Sequence, residues 1–432
     1  MSTGSTVGEV LEARLRQLGV GRVYGHPLAG LDHVDVEDPD VAVLLADVDG
    51  RIGHIDGSGR LGAALVDGPI LHLSSCPGGT APLQTVSTLD EVLAALADSP
   101  GLDVPATTAL HLDLDLDAPT PSGPSDAAGP LRTPVLTLDP ALAGLDIVVL
   151  VGPGIVRTNT VDWVHSFSRS TGAGVVATWG ARGVERRDSP FNFGVVGLQA
   201  RDLELAGVAE ADLVVTSGLD PDELGIADLS HLVVQEVPPR QLGVFARDWS
   251  TQPWPTEPTR LVTELAAFLS PLYESETIPL TAPRAALHLA GALPDGGLAV
   301  VDPGEAGFWV ARSFPTSVAG SLCVPAIAEP GFAAAAALVC RLENRPVLAV
   351  TDEHQLELAA TEAVVELADR LGSGIALQVW GDHGSMASTR DHVDLLAAHL
   401  VPTPGSRLDP VPIDVSKTAG LVDLAGAVRP WT

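Results

Sequence analysis

The stretch Pro346–Gly384, PVLAVTDEHQLELAATEAVVELADRLGSGIALQVWGDHG, predicts the architecture of the chain more clearly than any other. Its first apolar run, Val347–Val350, predicts a strand that ends at Thr351-Asp352-Glu353-His354. Apolar residues near every third or fourth position then predict a helix. A second apolar run, Ile375–Trp380, predicts a strand that ends at Gly381-Asp382-His383-Gly384. The pattern indicates a βαβ crossover with acidic residues at both strand exits, the edge where open parallel sheets bind ligands.

This stretch resembles the diphosphate-binding half of thiamine-diphosphate enzymes of the acetolactate synthase, benzoylformate decarboxylase and 2-hydroxyacyl-CoA lyase type. In these enzymes Gly-Asp-Gly follows the first strand and Asn-Asn or an equivalent follows the second. Together they bind a divalent metal that holds the diphosphate. Here Asp352 keeps its position, Thr351 and Glu353 replace the glycines, and Asp382 lies near the asparagine position. The resemblance implies Asp352 and Asp382 as Mg²⁺ ligands, and these two with Glu353 and His383 as residues that bind thiamine diphosphate.

Two other segments carry the same resemblance. Residues 15–31, LRQLGVGRVYGHPLAGL, are similar to the start of the pyrimidine-binding domain. Gly152-Pro153-Gly154 and the loop Trp179–Gly183 are similar to the central domain. The resemblance therefore predicts an α/β fold of three consecutive doubly wound parallel-sheet domains, of which the first is truncated. Linker-like composition at Ala118–Pro130 and Ser270–Pro283 places these domains at residues 1–118, 134–272 and 284–432.

The first domain lacks an acid that the family uses. There, a glutamate on the helix after the second strand protonates the aminopyrimidine of the cofactor and so helps to form the reactive carbanion. The corresponding residues 41–68 contain Asp47 and Asp49 but no glutamate. Gly50, Gly53 and Gly57 predict that no long helix forms there.

Composition excludes several classes of function. The 432 residues are 46% hydrophobic, which is enough to bury more than one core. A formal charge of −31 disfavours binding to nucleic acid or to a membrane surface. Lys417 is the only lysine and lies outside any glycine-rich loop, so Schiff-base and P-loop chemistry are excluded. Three scattered cysteines, no apolar signal core and no apolar run of membrane-spanning length predict a cytoplasmic protein.

Several other residues allow alternatives. Arg157 and Arg182 could meet the diphosphate of a flavin or nucleotide in the central domain, but our expectation is that this domain is purely structural. Spacing alone allows a metal at Asp113-x-Asp115-x-Asp117, although a solvent-facing edge is favoured. The remaining candidates are histidines that could act as acid or base, the last two being better placed at the sheet edge: His26, His54, His72, His354 and His383.

Two hypotheses for function follow. The first is a degenerate member of the family, without thiamine chemistry of its own, that acts as a binding or partner subunit. The resemblance implies a homodimer, a homotetramer or a hetero-oligomer with an intact relative, because the family's site lies between two chains. The alternative is a working carbon–carbon lyase, ligase or 2-oxoacid decarboxylase with a non-standard metal–diphosphate site.

Overall fold

A computed structural model describes residues 5–28, 30–55, 59–66, 70–75, 83–97, 107–120, 145–245 and 253–431. The chain forms two compact units, Met1–Val135 and Leu136–Thr432. Most of the predicted first linker, the side chain of His54, and Cys76 lie outside the described residues. None of the described helices has the length and apolar character needed to cross a membrane.

The N-terminal unit contains one six-stranded sheet with the order β2-β1-β3-β4-β6-β5. Its elements are α1 (Val7–Gln17), β1 (Arg22–Gly25), β2 (Asp32–Val34), α2 (Pro39–Ile55), β3 (Gly62–Val66), β4 (Ile70–Ser74), β5 (Leu83–Val86), α3 (Leu89–Ala97) and β6 (Thr107–Leu112). Strand β4 runs antiparallel to both of its neighbours, β3 and β6. The first of the three predicted sheets is therefore mixed, whereas its other strand pairs are parallel.

Helix α2 contradicts the prediction that glycines prevent a long helix after the second strand. It is 17 residues long and includes Gly50 and Gly53. A Cβ atom on Gly50 would lie 2.2 Å from the carbonyl oxygen of Ser74 in β4. A Cβ atom on Gly62 in β3 would lie 1.7 Å from the carbonyl oxygen of Ala46 in α2. The glycines let α2 pack directly on the sheet backbone, and this packing outweighs their weak helix propensity.

We expect Gly50→Ala to destabilise the protein by about 1–2 kcal/mol, although alanine is the better helix former by about 1 kcal/mol. The methyl group would push α2 away from β4. Gly291→Ala is the matched control, because Gly291 lies in a helix and a Cβ atom there would meet nothing within 4 Å. That variant should gain about 0.5–1 kcal/mol. Urea unfolding measures both, and equal effects would contradict the packing explanation.

The second unit begins with a five-stranded parallel sheet of order β11-β10-β7-β8-β9. Its elements are β7 (Ile147–Val151), α4 (Gly154–Arg157), α5 (Val161–Thr171), β8 (Gly174–Thr178), β9 (Asn192–Val196), α6 (Asp202–Leu205), β10 (Leu213–Ser217), β11 (Val234–Glu236), α7 (Leu242–Phe245) and α8 (Arg260–Tyr273). The chain reverses its direction of winding between β7 and β10, which places the ligand crevice of this sheet at their exits.

The third sheet is six-stranded and parallel, with the order β12-β17-β16-β15-β13-β14. Its elements are β12 (Leu280–Thr281), α9 (Ala282–Ala292), β13 (Leu298–Val301), α10 (Glu305–Ser313), β14 (Leu322–Cys323), α11 (Phe332–Leu342), β15 (Val347–Asp352), α12 (Glu353–Leu356), α13 (Ala359–Arg370), β16 (Ala376–Gly381), α14 (Thr389–His399), β17 (Arg407–Asp414) and α15 (Thr418–Ala425). The predicted crossover is present, with its single helix divided into α12 and α13.

The segment predicted as the second linker is structured. Residues 270–273 complete α8, and β12 pairs with β17 at the edge of the third sheet. Buried polar contacts also join the central and third sheets. The guanidinium of Arg312 in α10 donates to Asp202 Oδ2 at 2.8 Å, and both side chains are almost fully buried. Trp179 Nε1 donates to the carbonyl of Val324 at 3.2 Å. These contacts explain why the two sheets form one compact unit, while three separate domains stay a prediction.

Candidate functional site

The candidate site is the carboxyl edge of the third sheet, at the exits of β13, β15 and β16. The direction of winding reverses between β13 and β15, which is the usual ligand position in such sheets. Asp302 follows β13, Asp352 ends β15, and Gly381 ends β16. The register pairs Asp352 with Trp380, so the two strands end at nearly the same level. The fold therefore brings the sequence-predicted residues to one edge.

The side chain of Asp352 is already hydrogen-bonded to the protein's own backbone. Its side chain accepts the N–H of Gln355 at 2.8 Å and caps α12. Its Oδ2 also lies against Gly304, where a Cβ atom would be only 3.1 Å away. Thr351, which stands at a glycine position of the family motif, is fully buried. The β15 exit thus has an internally bonded aspartate and a bulky neighbour.

Glu353 and His383 join the exits of β15 and β16. Glu353 Oε1 lies 2.6 Å from His383 Nδ1, and this hydrogen bond, with the charge of Glu353, raises the pKa of His383. A Cβ atom on Gly381 would lie 2.3 Å from the same Glu353 oxygen. The Glu353 carboxylate therefore covers the backbone of Gly381. His354 is exposed on α12.

Asp302 is a site residue that the motif comparison did not select. Its side chain is 0% exposed, and Oδ1 accepts the N–H of Ala333 at the start of α11, at 2.7 Å. Its Oδ2 has no hydrogen-bond partner in the described part of the chain. Burial, with the nearby charge of Asp352, raises the pKa of Asp302 to about 7, against the opposing effect of the Ala333 amide and the Thr351 hydroxyl. The sequence does contain a signal for this residue, because Asp302 comes directly after a buried apolar strand.

Asp302→Asn should change how stability depends on pH. The pKa of Asp302 is raised in the folded protein to about 7 from its ordinary 3.8. Its contribution to stability is therefore full below pH 3.8 and is lost as pH rises through 7. Between pH 5 and pH 8 the wild type should lose roughly 2–3 kcal/mol relative to the asparagine variant. Urea unfolding at both pH values measures this difference, and parallel curves would contradict it.

Asp382 lies beyond β16 and is exposed, as is the neighbouring Ser385. Among the residues that the structure describes, no three or more histidine, cysteine, aspartate or glutamate side chains are grouped so that they could hold a metal ion. Asp352 and Asp382 alone would need further ligands, such as water or phosphate oxygens, to hold Mg²⁺. The predicted metal pair therefore stays a prediction.

In the N-terminal unit, both candidate aspartates of α2 have partners. Asp49 is buried, accepts the Tyr24 hydroxyl at 3.0 Å and accepts Arg60 Nε at 2.7 Å. Asp47 lies 2.8 Å from His72 Nε2 on β4. Burial, with the charge of Asp49, raises the pKa of Tyr24 well above its usual range. Helix α2 follows β2, so these residues lie on the helix where the resemblance expects a glutamate.

In the central sheet, the backbone segments that follow β7 and β10 are in close contact. Gly154 N–H donates to the carbonyl of Gly218 at 2.8 Å, and a Cβ atom on Gly154 would lie 2.6 Å from Gly218 Cα. Arg157 forms a buried double hydrogen bond with Asp220 at 2.5 and 2.8 Å. Arg182 donates to backbone carbonyls of α10 and the residue after it. Both candidate arginines are therefore used for packing within the unit.

The three-sheet α/β fold, with acidic residues at the strand exits of its third sheet, agrees with comparisons with known proteins. Residues 145–236 match the family model described as "Thiamine pyrophosphate enzyme, central domain". No curated protein gives a significant match to the sequence. The resemblance predicted from the middle segment is thus confirmed over these residues.

Solved structures extend the likeness to the whole chain. A Mycobacterium smegmatis protein described as a thiamin diphosphate-dependent enzyme has a TM-score of 0.62 and 15% identity, over 95% of this chain and 99% of its own. Benzoylformate decarboxylase from Polynucleobacter necessarius has a TM-score of 0.60 and 14% identity, over 99% of this chain and 100% of its own. The chain therefore has the fold of thiamine-diphosphate enzymes, as predicted.

The residues at the third-sheet edge do not fit a bound diphosphate. The Ala333 amide at the start of α11 already has Asp302 as its acceptor, and the Gln355 amide of α12 has Asp352. The carboxylate of Glu353 lies over Gly381, where an anion would need an open backbone. An added diphosphate would have to displace Asp302 or Asp352 from these two amides and would meet the Glu353 carboxylate.

Proposed function

We propose that this protein is a degenerate thiamine-diphosphate-enzyme fold that carries out no thiamine chemistry on its own and acts as a binding or partner subunit. The observation that carries the proposal concerns the carboxyl groups on α2. The helix contains no glutamate, and its two candidate aspartates, Asp47 and Asp49, are already bonded to His72, Tyr24 and Arg60. The third aspartate of α2, Asp40, is exposed in its first turn. Neither Asp47 nor Asp49 is therefore a free carboxyl group that could activate an aminopyrimidine ring.

The third sheet supports the same proposal independently. Asp352, Glu353, Asp382 and His383 are the residues that the resemblance assigns to cofactor binding. Asp352 caps a helix and Glu353 pairs with His383, so these two carboxylates already have partners within the chain. We therefore expect thiamine diphosphate and Mg²⁺ to bind weakly or not at all.

The central sheet supports a structural role. Gly154 and Gly218 are in backbone contact where the winding of this sheet reverses, between β7 and β10, and Arg157 forms an ion pair with Asp220. A flavin or nucleotide diphosphate could bind Arg157 only by breaking this buried ion pair. Breaking the pair costs much stability, because the charge of Asp220 would stay buried without its partner. We propose that this sheet positions the third sheet, to which Arg312 and Trp179 join it.

A partner subunit needs a partner, and we propose either a second copy, as a homodimer or homotetramer, or an intact thiamine-diphosphate enzyme chain. The purified protein should not decarboxylate or ligate 2-oxo acids with thiamine diphosphate and Mg²⁺. Light scattering after size exclusion should give a mass above that of one chain. When a tagged copy is purified from its native cells, a thiamine-diphosphate enzyme chain with a complete Gly-Asp-Gly motif should co-purify with it. Turnover by the purified chain alone would overturn the proposal in favour of an active lyase or decarboxylase.

A further inference from the structure

The N-terminus of α11 has the features of an anion-binding position. The helix has 11 residues, and the amide of its second residue, Ala333, meets the exit of β13. The positive end of a helix and its free N–H groups attract anions. Here the Ala333 N–H has an acceptor already, Asp302 Oδ1 at 2.7 Å. The acceptor comes from the strand exit directly opposite the helix.

Two further observations show how completely this position is filled. Asp302 is 0% exposed, yet its second oxygen has no partner among the described residues. A buried carboxyl oxygen without a donor is costly, so its retention needs a compensating contact. Above the helix start, a Cβ atom on Gly331 would lie 3.1 Å from the backbone of Ala360 and Thr361. Helix α13 therefore covers the same position from outside.

We propose that Asp302 is a built-in ligand: its carboxyl group occupies the anion position at the N-terminus of α11 and excludes phosphate-bearing ligands from the crevice. The proposal concerns the third sheet alone. It does not rest on the state of α2, so it can fail while the proposed function stands.

Chemical rescue tests the proposal. In Asp302→Ala the helix terminus loses its acceptor, and a hole of carboxylate size is left. At pH 8, adding formate should raise the melting temperature of this variant by about 2 °C or more above the same concentration of chloride, because formate binds the folded state only. The wild type should show no such rise. Inorganic phosphate should also raise the melting temperature of Asp302→Ala but not that of the wild type, because the variant has lost the carboxyl group that excludes it.

Asp382→Ala is the matched control, because it removes an aspartate from the same edge but no helix cap. An equal formate response in Asp382→Ala, or none in Asp302→Ala, would overturn the proposal. A variant that does not fold leaves a second readout, the exchange of the Ala333 amide proton. This amide should exchange slowly in the wild type and in Asp302→Asn, whose side-chain oxygen can still accept it. Fast exchange in both proteins would overturn the proposal whatever Asp302→Ala does.

Discussion

Replacing Arg312 by methionine should lower the free energy of unfolding by about 3–5 kcal/mol, because it leaves the buried charge of Asp202 without its partner. The two side chains are 0% and 1% exposed and meet at 2.8 Å. Burial already raises the pKa of Asp202 against the opposing effect of Arg312. Without the arginine, Asp202 must take up a proton or stay charged in the core. Urea unfolding at pH 7 measures the loss.

Two comparisons isolate this effect. Adding Asp202→Asn to the methionine variant removes the unpaired charge and should recover part of the stability, as a double-mutant cycle would show. Arg186→Met breaks an exposed pair, in which Arg186 and Asp188 are 70% and 74% exposed, and should change stability little. A loss in Arg312→Met no larger than in Arg186→Met would mean that the buried pair does not hold the central and third sheets together.

Acid should destabilise the third sheet through His392. This residue is fully buried in α14, where Nε2 lies 2.9 Å from Gln378 Oε1 and Nδ1 lies 3.0 Å from His288 Nδ1. Gln378 Oε1 also accepts Trp380 Nε1, so it is the acceptor for His392 Nε2–H. His392 Nδ1 then accepts from His288. Burial lowers the pKa of His392 to about 3, and the neighbouring histidines add to the shift.

The sign of this effect follows from proton binding. The unfolded chain takes up a proton on His392 below about pH 6.5, whereas the folded protein does not until about pH 3. Stability from this group is therefore present above pH 6.5 and is lost as pH falls. At pH 4.5 the loss should be roughly 3 kcal/mol relative to pH 7. His392→Gln should remove this part of the pH dependence, and urea unfolding of both proteins at the two pH values measures it.

His383 provides a control of opposite sign. It is 82% exposed, and its bond to Glu353 raises its pKa, so its contribution is lost as pH rises rather than as pH falls. His383→Gln should leave the acid destabilisation unchanged. If His392→Gln keeps the full acid sensitivity of the wild type, the buried His392 is not its source.

The sequence predicted the third sheet well because its signals are local. The predicted apolar runs lie in β15 and β16, which end at Asp352 and Gly381. The structure places both strand ends at one edge of the sheet. The prediction for α2 was wrong because it did not include the contacts that its glycines make. Gly50 lies against Ser74, which is distant in sequence, and Gly53 lies against Arg60, which is beyond the helix. Propensity alone cannot show that a helix packs on a strand backbone.

The site was predicted in its position but not in its bonding. The resemblance placed Glu353 at the diphosphate position, but the sequence could not show that Glu353 would lie over Gly381 and pair with His383. It also did not connect Asp302 with Ala333, because the bond crosses 31 residues. Such pairings depend on which strand exits become neighbours. That order follows from the topology of the sheet rather than from a motif.

Isothermal titration of thiamine diphosphate with Mg²⁺ into the purified protein, with Asp352→Ala measured alongside, shows whether the third-sheet edge can hold the cofactor. The internal bonds of Asp302, Asp352 and Glu353 predict no detectable heat at millimolar cofactor in either protein. Micromolar binding by the wild type that Asp352→Ala abolishes would contradict the account. It would show that the altered motif still holds a metal and a diphosphate, and the enzyme hypothesis would take its place.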